Sequence, residues 1–315
     1  MHPIEFKNNL KTIPMLPSRP RSEKKIIVLI PIFHKGNLEA ATSFCKSAAW
    51  TLYTFLSNTD ADVYGVDCQL YIEKTAMPAC LPILEENRIA ETDVKIFQWP
   101  HTDWYGLSQK LFSFYDDRLL EYDYVFEVDA DCYVIPSIEG QKLPIFKNII
   151  ESDMNIALNC VSVQDGYTSL AEMIFMRLLR LTGYRARDIL ESLEIHTRHI
   201  LSTSASKKTL EEKVKCPTTF LFIFKPQEIR KCYPYFLSWF QECGYQFDTD
   251  EEILRLAHLL GYIDFDMSLK KYIPMGRTNN FYHNPEAYLA HQEITEYHLG
   301  PQFQETMSTF YSRIS

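Results

Sequence analysis

The sequence lacks any pair of cysteines spaced closely enough to form a metal knuckle or a compact disulfide framework. Its eight cysteines, which lie between Cys45 and Cys243, are never closer than eleven positions apart. A Cys-x-x-Cys zinc site is therefore excluded, and a small secreted scaffold held by disulfides is not indicated. A reduced, intracellular and cytoplasmic protein is the simplest interpretation.

Long apolar runs are also missing. No segment approaches the roughly 20 apolar residues that are needed to span a bilayer. The stretch 1–25 is polar and interrupted by prolines, and it has no apolar core of the kind found in signal peptides. We therefore expect neither secretion nor a membrane span, while peripheral association with a membrane stays open.

The sequence also lacks a surplus of positive charge. Lys and Arg total 32 against 41 Asp and Glu, which gives a formal charge of -9 and a pI of about 5.5. This balance argues against a protein whose main role is to neutralise nucleic-acid phosphates. With 46% apolar and 23% charged residues, the composition is that of an ordinary globular protein.

What the sequence does contain is an alternation of apolar runs with helical periodicity. Strands are predicted at 26–33, 68–72, 94–97, 124–128, 155–161 and 218–224, and helices at 38–56, 80–87, 107–120 and from 226 onward. Such alternation is typical of an α/β domain in which a mostly parallel sheet lies between helices. We predict an N-terminal tail over 1–23 and a single domain over 24–315. A helical insertion is predicted at about 165–215, with no strand signal from 171 to 215.

The fourth predicted strand ends in an Asp-x-Asp pair, Asp129 and Asp131. Aspartates often follow strands only because their short side chains start turns well. Sheets of this kind, however, bind ligands at the carboxyl ends of their strands. Two carboxylates at such an end suit a hard divalent cation, which usually keeps coordination positions open for substrate phosphates. The pair therefore predicts a metal and diphosphate site.

Several motifs make the chain resemble the metal-dependent, nucleotide-sugar glycosyltransferases of the GT-A fold, most closely the glycogenin-like and galactosyltransferase-like family 8. They are Lys110 on a helix, the segment 121–123 before the strand, the Asp-x-Asp pair, the segment 250–255 (DEEILR), and His298 in a His-x-Gly loop. These motifs follow one another in the order found in that family. The resemblance spans residues 24–302 and implies a Rossmann-like fold.

The resemblance also implies a metal site and a donor site. Asp131 and His298 would bind Mn²⁺ or Mg²⁺, and Asp129 would contact the metal or the donor ribose. A set of carboxylate and imidazole ligands is compatible with Mn²⁺. The donor is expected to be a UDP-sugar. Its predicted contacts are Asp129, Lys110, Pro31, Phe33, His34 and Gly300.

Three positions depart from the family pattern. The family's Asn-x-Gly falls on Pro217-Thr218-Thr219, the neutral Gln of its Asp-Gln-Asp motif falls on Glu251, and the Lys that often follows its His-x-Gly is absent. Asp250 and Glu251 are the predicted catalytic residues, either as a general base or as stabilisers of an oxocarbenium-like transition state. Retention and inversion of the anomeric configuration both stay open.

Other interpretations also stay open. A haloacid-dehalogenase-type hydrolase places Asp-x-Asp after a strand, but normally after the first strand and with a later Gly-Asp-x-x-x-Asp motif that this sequence lacks. A nucleotidyltransferase typically has a Gly-rich, basic loop after strand one, where this chain has only Gly36. A non-catalytic relative that binds nucleotide sugars is the third alternative. The acceptor could be a glycan, a protein, a lipid-linked sugar or, less in keeping with the net acidity, a nucleic-acid base.

Overall fold

The structure is a computed structural model that describes residues 10–17, 25–33, 38–97, 116–134, 142–160, 167–169, 213–215, 217–231, 254, 263, 275–277 and 289–291. Predictions that fall on other residues lie outside this part of the chain. No helix within these ranges is long and apolar enough to cross a membrane. The described cysteines that are buried as free thiols are Cys45, Cys68, Cys80 and Cys132.

The strands and helices follow one another in an α/β order. The strands are β1 (Ile26–Ile32), β2 (Asp67–Glu73), β3 (Val94–Phe97), β4 (Tyr124–Val128), β5 (Cys132–Val134), β6 (Ile156–Cys160), β7 (Tyr167–Ser169), β8 (Lys213–Lys215), β9 (Pro217–Phe224), β10 (Met275–Arg277) and β11 (Leu289–His291). The helices are α1 (Leu38–Asn58), α2 (Ala61–Tyr64), α3 (Met77–Glu86), α4 (Ile145–Ser152) and α5 (Pro226–Arg230), with 3₁₀ turns at Glu91–Asp93 and Asp117–Glu121. Continuous apolar runs such as IIVLIPI of β1 suit strands covered on both faces, and every residue of β1 is buried.

A six-stranded sheet with the spatial order β3-β2-β1-β4-β9-β6 forms the centre of the domain. β1 runs parallel to both β2 and β4, and β2 runs parallel to β3. β9 is antiparallel to both of its neighbours, β4 and β6. The predicted α/β class, with a mostly parallel sheet and flanking helices, is confirmed.

The reversed direction of β9 follows from the way in which the chain leaves and re-enters the sheet. β7 begins soon after β6 ends, β8 ends just before β9 begins, and β7 pairs with β8 in antiparallel fashion. The chain therefore returns to the sheet at the end where it left, so β9 must run back along β6. The expectation of no strand between 171 and 215 is wrong at β8, because three residues are too short to show a strand period in sequence.

The main apolar core lies between the sheet and the helices α1, α3 and α4. Its members include the buried side chains Val28, Ile30, Leu70, Ile72, Phe126, Val128, Leu52, Phe55, Cys80, Leu84, Phe146 and Ile149. Burial of each large apolar side chain contributes about 1.5–3 kcal/mol to the stability of the fold. This core holds α1 against β1, β2 and β5.

Three segments differ from their predicted form or were not predicted. The helix expected at 107–120 lies outside the described residues up to 115, and its last residues form a 3₁₀ turn, in which Asp116 caps the amide of Arg118 at 3.0 Å. α4 had no sequence prediction, and its first amides are satisfied from outside the helix by Asp60. Within the predicted N-terminal tail, Ile13 is buried and its amide donates to Asn87 Oδ1 at 2.8 Å.

Candidate functional site

The carboxyl ends of β1 and β4 lie side by side where the strand order of the sheet reverses. From β1 the chain passes through α1 to β2 and then outward to β3, and it returns to place β4 on the other side of β1. Open α/β sheets bind ligands in the crevice outside the strand ends at such a switch point. Hydrogen-bonded pairing of the two strands ends at Leu29 and Glu127. Pro31 therefore lies just beyond the last residue of β1 that pairs with β4, and the Asp-x-Asp pair lies just beyond the last residue of β4 that pairs with β1.

The Asp-x-Asp pair lies in a tight turn between β4 and β5. The amide of Cys132 donates to the carbonyl of Asp129 at 3.1 Å, which closes a four-residue turn of a kind that Asp favours. Asp131 is buried, with 7% of its surface exposed, whereas Asp129 is half-buried. The turn thus combines a shielded carboxylate with a more accessible one.

Side chains of β4 alternate between the two faces of the sheet. The even-numbered residues from Tyr124 to Ala130 belong to the core between the sheet and the helices α1, α3 and α4. Because side chains alternate along a strand, Glu127 projects to the opposite face, and Asp129 follows the last residue of the strand. Glu127 is buried, with 3% of its surface exposed. It was not among the predicted site residues, although the sequence shows it as a carboxylate within an apolar strand, two residues before Asp129.

A buried row of polar side chains on α1 lies against the other side of the turn. We call this row the α1 polar face, and it consists of Ser47, Thr51, Thr54 and Asn58. Its members recur every three or four residues, so they share one face of the helix. The first three are fully buried, and Ser47 Oγ forms a hydrogen bond with the hydroxyl of Tyr133 in β5.

The α1 polar face bonds directly to the backbone of the turn and of β5. Thr51 Oγ1 donates to the carbonyl of Ala130, the residue between the two aspartates, at 2.9 Å. The amide of Val134 donates to Thr54 Oγ1 at 3.1 Å, and Asn58 Nδ2 donates to the Val134 carbonyl at 2.8 Å. The backbone is therefore held on both sides of Asp131. The spacing of the polar residues is visible in the sequence, but their partners are not.

The β1 side of the switch point contributes apolar and aromatic residues, with one ion pair beside them. Pro31 and Phe33 are both buried, and Tyr71 lies opposite Pro31 in the pairing with β2. Burial raises the pKa of Tyr71 well above its ordinary value, with a smaller contribution from the charge of Asp116, so its hydroxyl stays protonated. Arg118 lies 5.5 Å from the centre of the Tyr71 ring and pairs with Asp116 at 2.6 Å.

Of the predicted site residues, the structure describes Pro31, Phe33, Asp129 and Asp131. Pro31 lies in β1 and Phe33 directly follows it, and the two aspartates follow β4, the strand that pairs with β1. The other predicted site residues lie outside the described ranges: Lys110, His34, Asp250, Glu251, His298 and Gly300. Within those ranges, no group of three or more His, Cys, Asp or Glu side chains converges on one point. The third metal ligand, His298, stays a prediction.

No protein-family model and no curated protein sequence matches the chain. Among solved structures, the chain is similar to the mannosyltransferase Ktr4p from S. cerevisiae in complex with GDP, with 10% identity over 84% of this chain and 77% of that chain, and a TM-score of 0.44. It is also similar to mouse xyloside xylosyltransferase 1, with 9% identity over 86% of this chain and 97% of that chain, and a TM-score of 0.44. A third similar structure is core-mannan synthase A from Aspergillus fumigatus in an Mn/GDP form, with 9% identity, coverage of 80% and 76%, and a TM-score of 0.41. Because these TM-scores are below 0.5, the fold class rests on the strand order and pairing of the sheet.

Proposed function

We propose that the protein is a metal-dependent glycosyltransferase that moves a sugar from a nucleoside diphosphate donor to an acceptor. The observation that carries this proposal is the position of Asp129 and Asp131 at the carboxyl end of β4, beside β1, where the strand order reverses. Open α/β sheets bind their ligands at this position. Because like charges repel, a pair of carboxylates there suits a diphosphate only through an intervening cation.

The residues present fit a hard divalent cation. Two carboxylates, one buried and one half-buried, offer the oxygen ligands that Mg²⁺ and Mn²⁺ prefer. Asp129 and Asp131 would hold the ion, with His298 as the proposed third ligand. When bound, the cation would neutralise the negative charge that develops on the departing diphosphate. We propose Mn²⁺, because a mixed set of oxygen and imidazole ligands accepts it.

The remaining proposed site residues divide between donor and acceptor. Pro31 and Phe33, at the end of β1, would form an apolar floor under the nucleotide, and Lys110 would lie near the donor. Asp250 and Glu251 would face the acceptor, where a carboxylate can act as a base or stabilise positive charge at the anomeric carbon. The donor is proposed to be a UDP-sugar, because this is the donor that the sequence motifs imply.

A screen for release of nucleoside diphosphate tests the proposal. Purified protein is incubated with UDP- and GDP-sugars in the presence of Mn²⁺, Mg²⁺ or EDTA, with water or a mixture of candidate acceptors as the second substrate. We expect release from at least one donor, dependent on the cation and abolished by the double variant Asp129→Asn/Asp131→Asn. Release from no donor, or release that the double variant leaves unchanged, would contradict the proposal.

Asp123→Asn is the matched control for that experiment. Asp123 precedes the opposite end of β4, where its carboxylate accepts the Lys25 amide at 3.0 Å. The control variant should therefore retain diphosphate release. Tight binding of a nucleotide sugar without turnover would instead identify a non-catalytic binding protein. Release of inorganic phosphate from phosphate monoesters would identify a hydrolase.

A further inference from the structure

The carbonyl of Ala130 is the central point of contact between the turn and α1. It lies between the two aspartates in the chain and accepts the Thr51 hydroxyl at 2.9 Å. Thr51 is fully buried, and Ala130 is buried with 6% of its surface exposed. Since water cannot readily replace a bond at this depth, loss of the hydroxyl would leave the carbonyl without its donor from α1.

The contact acts on the direction of the Asp129 and Asp131 side chains. Rotation of the Ala130 peptide would change ψ of Ala130 and φ of Asp131, the dihedrals that set where the second carboxylate points relative to the first. Bonds to Val134 from Thr54 and Asn58 hold the chain on the far side of Asp131. Both flanks of this carboxylate are thereby tied to one rigid helix.

We propose that Thr51 is a positioning residue for the metal site, and that its hydroxyl fixes the Asp129–Asp131 turn in the geometry that binds the divalent cation. This inference rests on the proposed function, because it assumes that the two carboxylates bind a cation. Metal sites need ligands held within about 0.5 Å of the productive geometry, which bonds to a rigid element provide. Groups that orient metal ligands typically change metal affinity by about 10–100-fold when they are removed.

The test measures binding of Mn²⁺ alone, by calorimetry or by the electron paramagnetic resonance signal of free Mn²⁺, on the full chain. Thr51→Val keeps the shape of the side chain and removes the hydroxyl, and we expect it to weaken Mn²⁺ binding about tenfold. Thr51→Ser restores the hydroxyl and should return affinity to within about twofold of wild type. Thr42→Val is the matched control, because Thr42 lies on the same helix and its hydroxyl donates to Leu38 of that helix.

The outcomes separate the inference from the proposed function. Wild-type protein that binds no Mn²⁺, or binds it equally well after Asp129→Asn/Asp131→Asn, would overturn the proposed function and this inference with it. If wild type binds Mn²⁺ through the two aspartates but Thr51→Val binds it equally tightly, the inference alone is wrong. The same holds if Thr51→Ser is as weak as Thr51→Val. A merely structural role would lower the melting temperature without changing the affinity of the folded protein.

A second variant keeps the inference testable if Thr51→Val does not fold. Thr54→Val removes the acceptor of the Val134 amide, on the other side of Asp131 from Ala130. We expect Mn²⁺ affinity to fall several-fold, by less than at Thr51, since the altered bond is farther from the aspartates. If Thr51→Val does not fold and Thr54→Val binds Mn²⁺ as tightly as wild type, these bonds contribute only to stability and the inference is overturned.

Discussion

The two ends of β4 are held in different ways. At the amino end, Asp123 accepts the Lys25 amide at 3.0 Å, and the Tyr124 hydroxyl donates to Asp153 at 3.4 Å. Asp153 also pairs with Lys225 at 2.7 Å, although 83% of the Asp153 side chain is exposed. Charged and solvated groups therefore dominate this end of the strand.

At the carboxyl end, a row of neutral and mostly buried side chains on α1 bonds to the chain. The α1 polar face bonds the backbone at Ala130 and Val134 and the hydroxyl of Tyr133. Exposed ion pairs contribute little to stability because water and salt compete with them. A buried donor or acceptor left without its partner costs much more. The carboxyl end, which carries the proposed chemistry, is thus the end at which loss of a backbone hydrogen bond would cost more free energy.

The largest expected difference between the two ends is in activity. Asp131→Asn removes one negative charge from the proposed cation site, and cation stabilisation of a departing diphosphate is worth several kcal/mol, so diphosphate release should fall about 1000-fold. Asp123→Asn should change it by less than about twofold, since the change is at the exposed, amino end. Initial rates of diphosphate release at saturating Mn²⁺ measure the effect of both variants. Equal losses in the two variants would contradict the functional distinction between the ends.

The next difference is in stability at the carboxyl end. Thr54→Val leaves the Val134 amide without the hydroxyl that accepts it at 3.1 Å. Loss of a partner by a buried polar group should lower the free energy of unfolding by about 1–3 kcal/mol. Urea denaturation followed by circular dichroism measures this change. If Thr54→Val lowered the free energy of unfolding by less than Lys225→Met at the amino end, the expected order of the two ends would be wrong.

A smaller stability change is expected at the amino end. Lys225→Met removes an ammonium that pairs with Asp153, bonds to Asn155 at 3.1 Å and lies over the Tyr124 ring. Since the partner carboxylate is exposed, the free energy of unfolding should fall by only about 0.5–1 kcal/mol. The loss should be smaller at 1 M salt, where the Debye length is about 3 Å. A salt-independent loss would show that packing of the lysine stem, not charge, is responsible.

The smallest expected effect is a pH dependence at Asp60, a buried carboxylate away from both ends of β4. Burial raises the pKa of Asp60 above its ordinary value, the charge of Asp62 adds to this, and the amides of Phe146 and Lys147 oppose it. Because the folded state then holds the proton more tightly than the unfolded state, the free energy of unfolding falls as pH rises from the ordinary value through the raised one.

Asp60→Asn lacks this titration, so the wild-type advantage over the variant should shrink as pH rises across that interval. Urea denaturation of both proteins at a series of pH values from about 3.5 upward follows this change, since an unperturbed Asp titrates near 3.9. Subtracting the free energy of unfolding of the variant from that of wild type at each pH removes the contribution of the other carboxylates, which titrate in both proteins. An advantage that grows with pH would mean that the amide bonds of α4 outweigh burial at Asp60.

The longer elements were predictable because each one contains its own pattern. β4 has the predicted bounds, 124–128, and α1 extends the predicted 38–56 by two residues. β5, β7, β8, β10 and β11 were not predicted, since each has three residues and pairs with a partner distant in sequence. A strand of that length shows no reliable period of two. Such strands form because a neighbour supplies the hydrogen bonds.

At the site, the carboxylates were predictable and their support was not. Asp129 and Asp131 follow an uninterrupted apolar strand, so their place at a strand end is a local property. The bond from Thr51 to Ala130 joins residues 79 positions apart. The polar residues of α1 recur at helical spacing, but this spacing would equally suit a solvent-facing row. Only the packing of α1 on the sheet directs the α1 polar face toward the Asp129–Asp131 turn.

The sequence by itself determined where the strands β1 to β4 run, and that two carboxylates end the fourth, because apolar runs and turn residues act over a few neighbouring positions. The tertiary structure decided that β4 lies beside β1, that β9 runs against both of its neighbours, and that α1 binds the turn. These features depend on contacts between distant parts of the chain, whose free energy is gained only when the core closes. The predicted site is therefore local in its residues and non-local in its geometry.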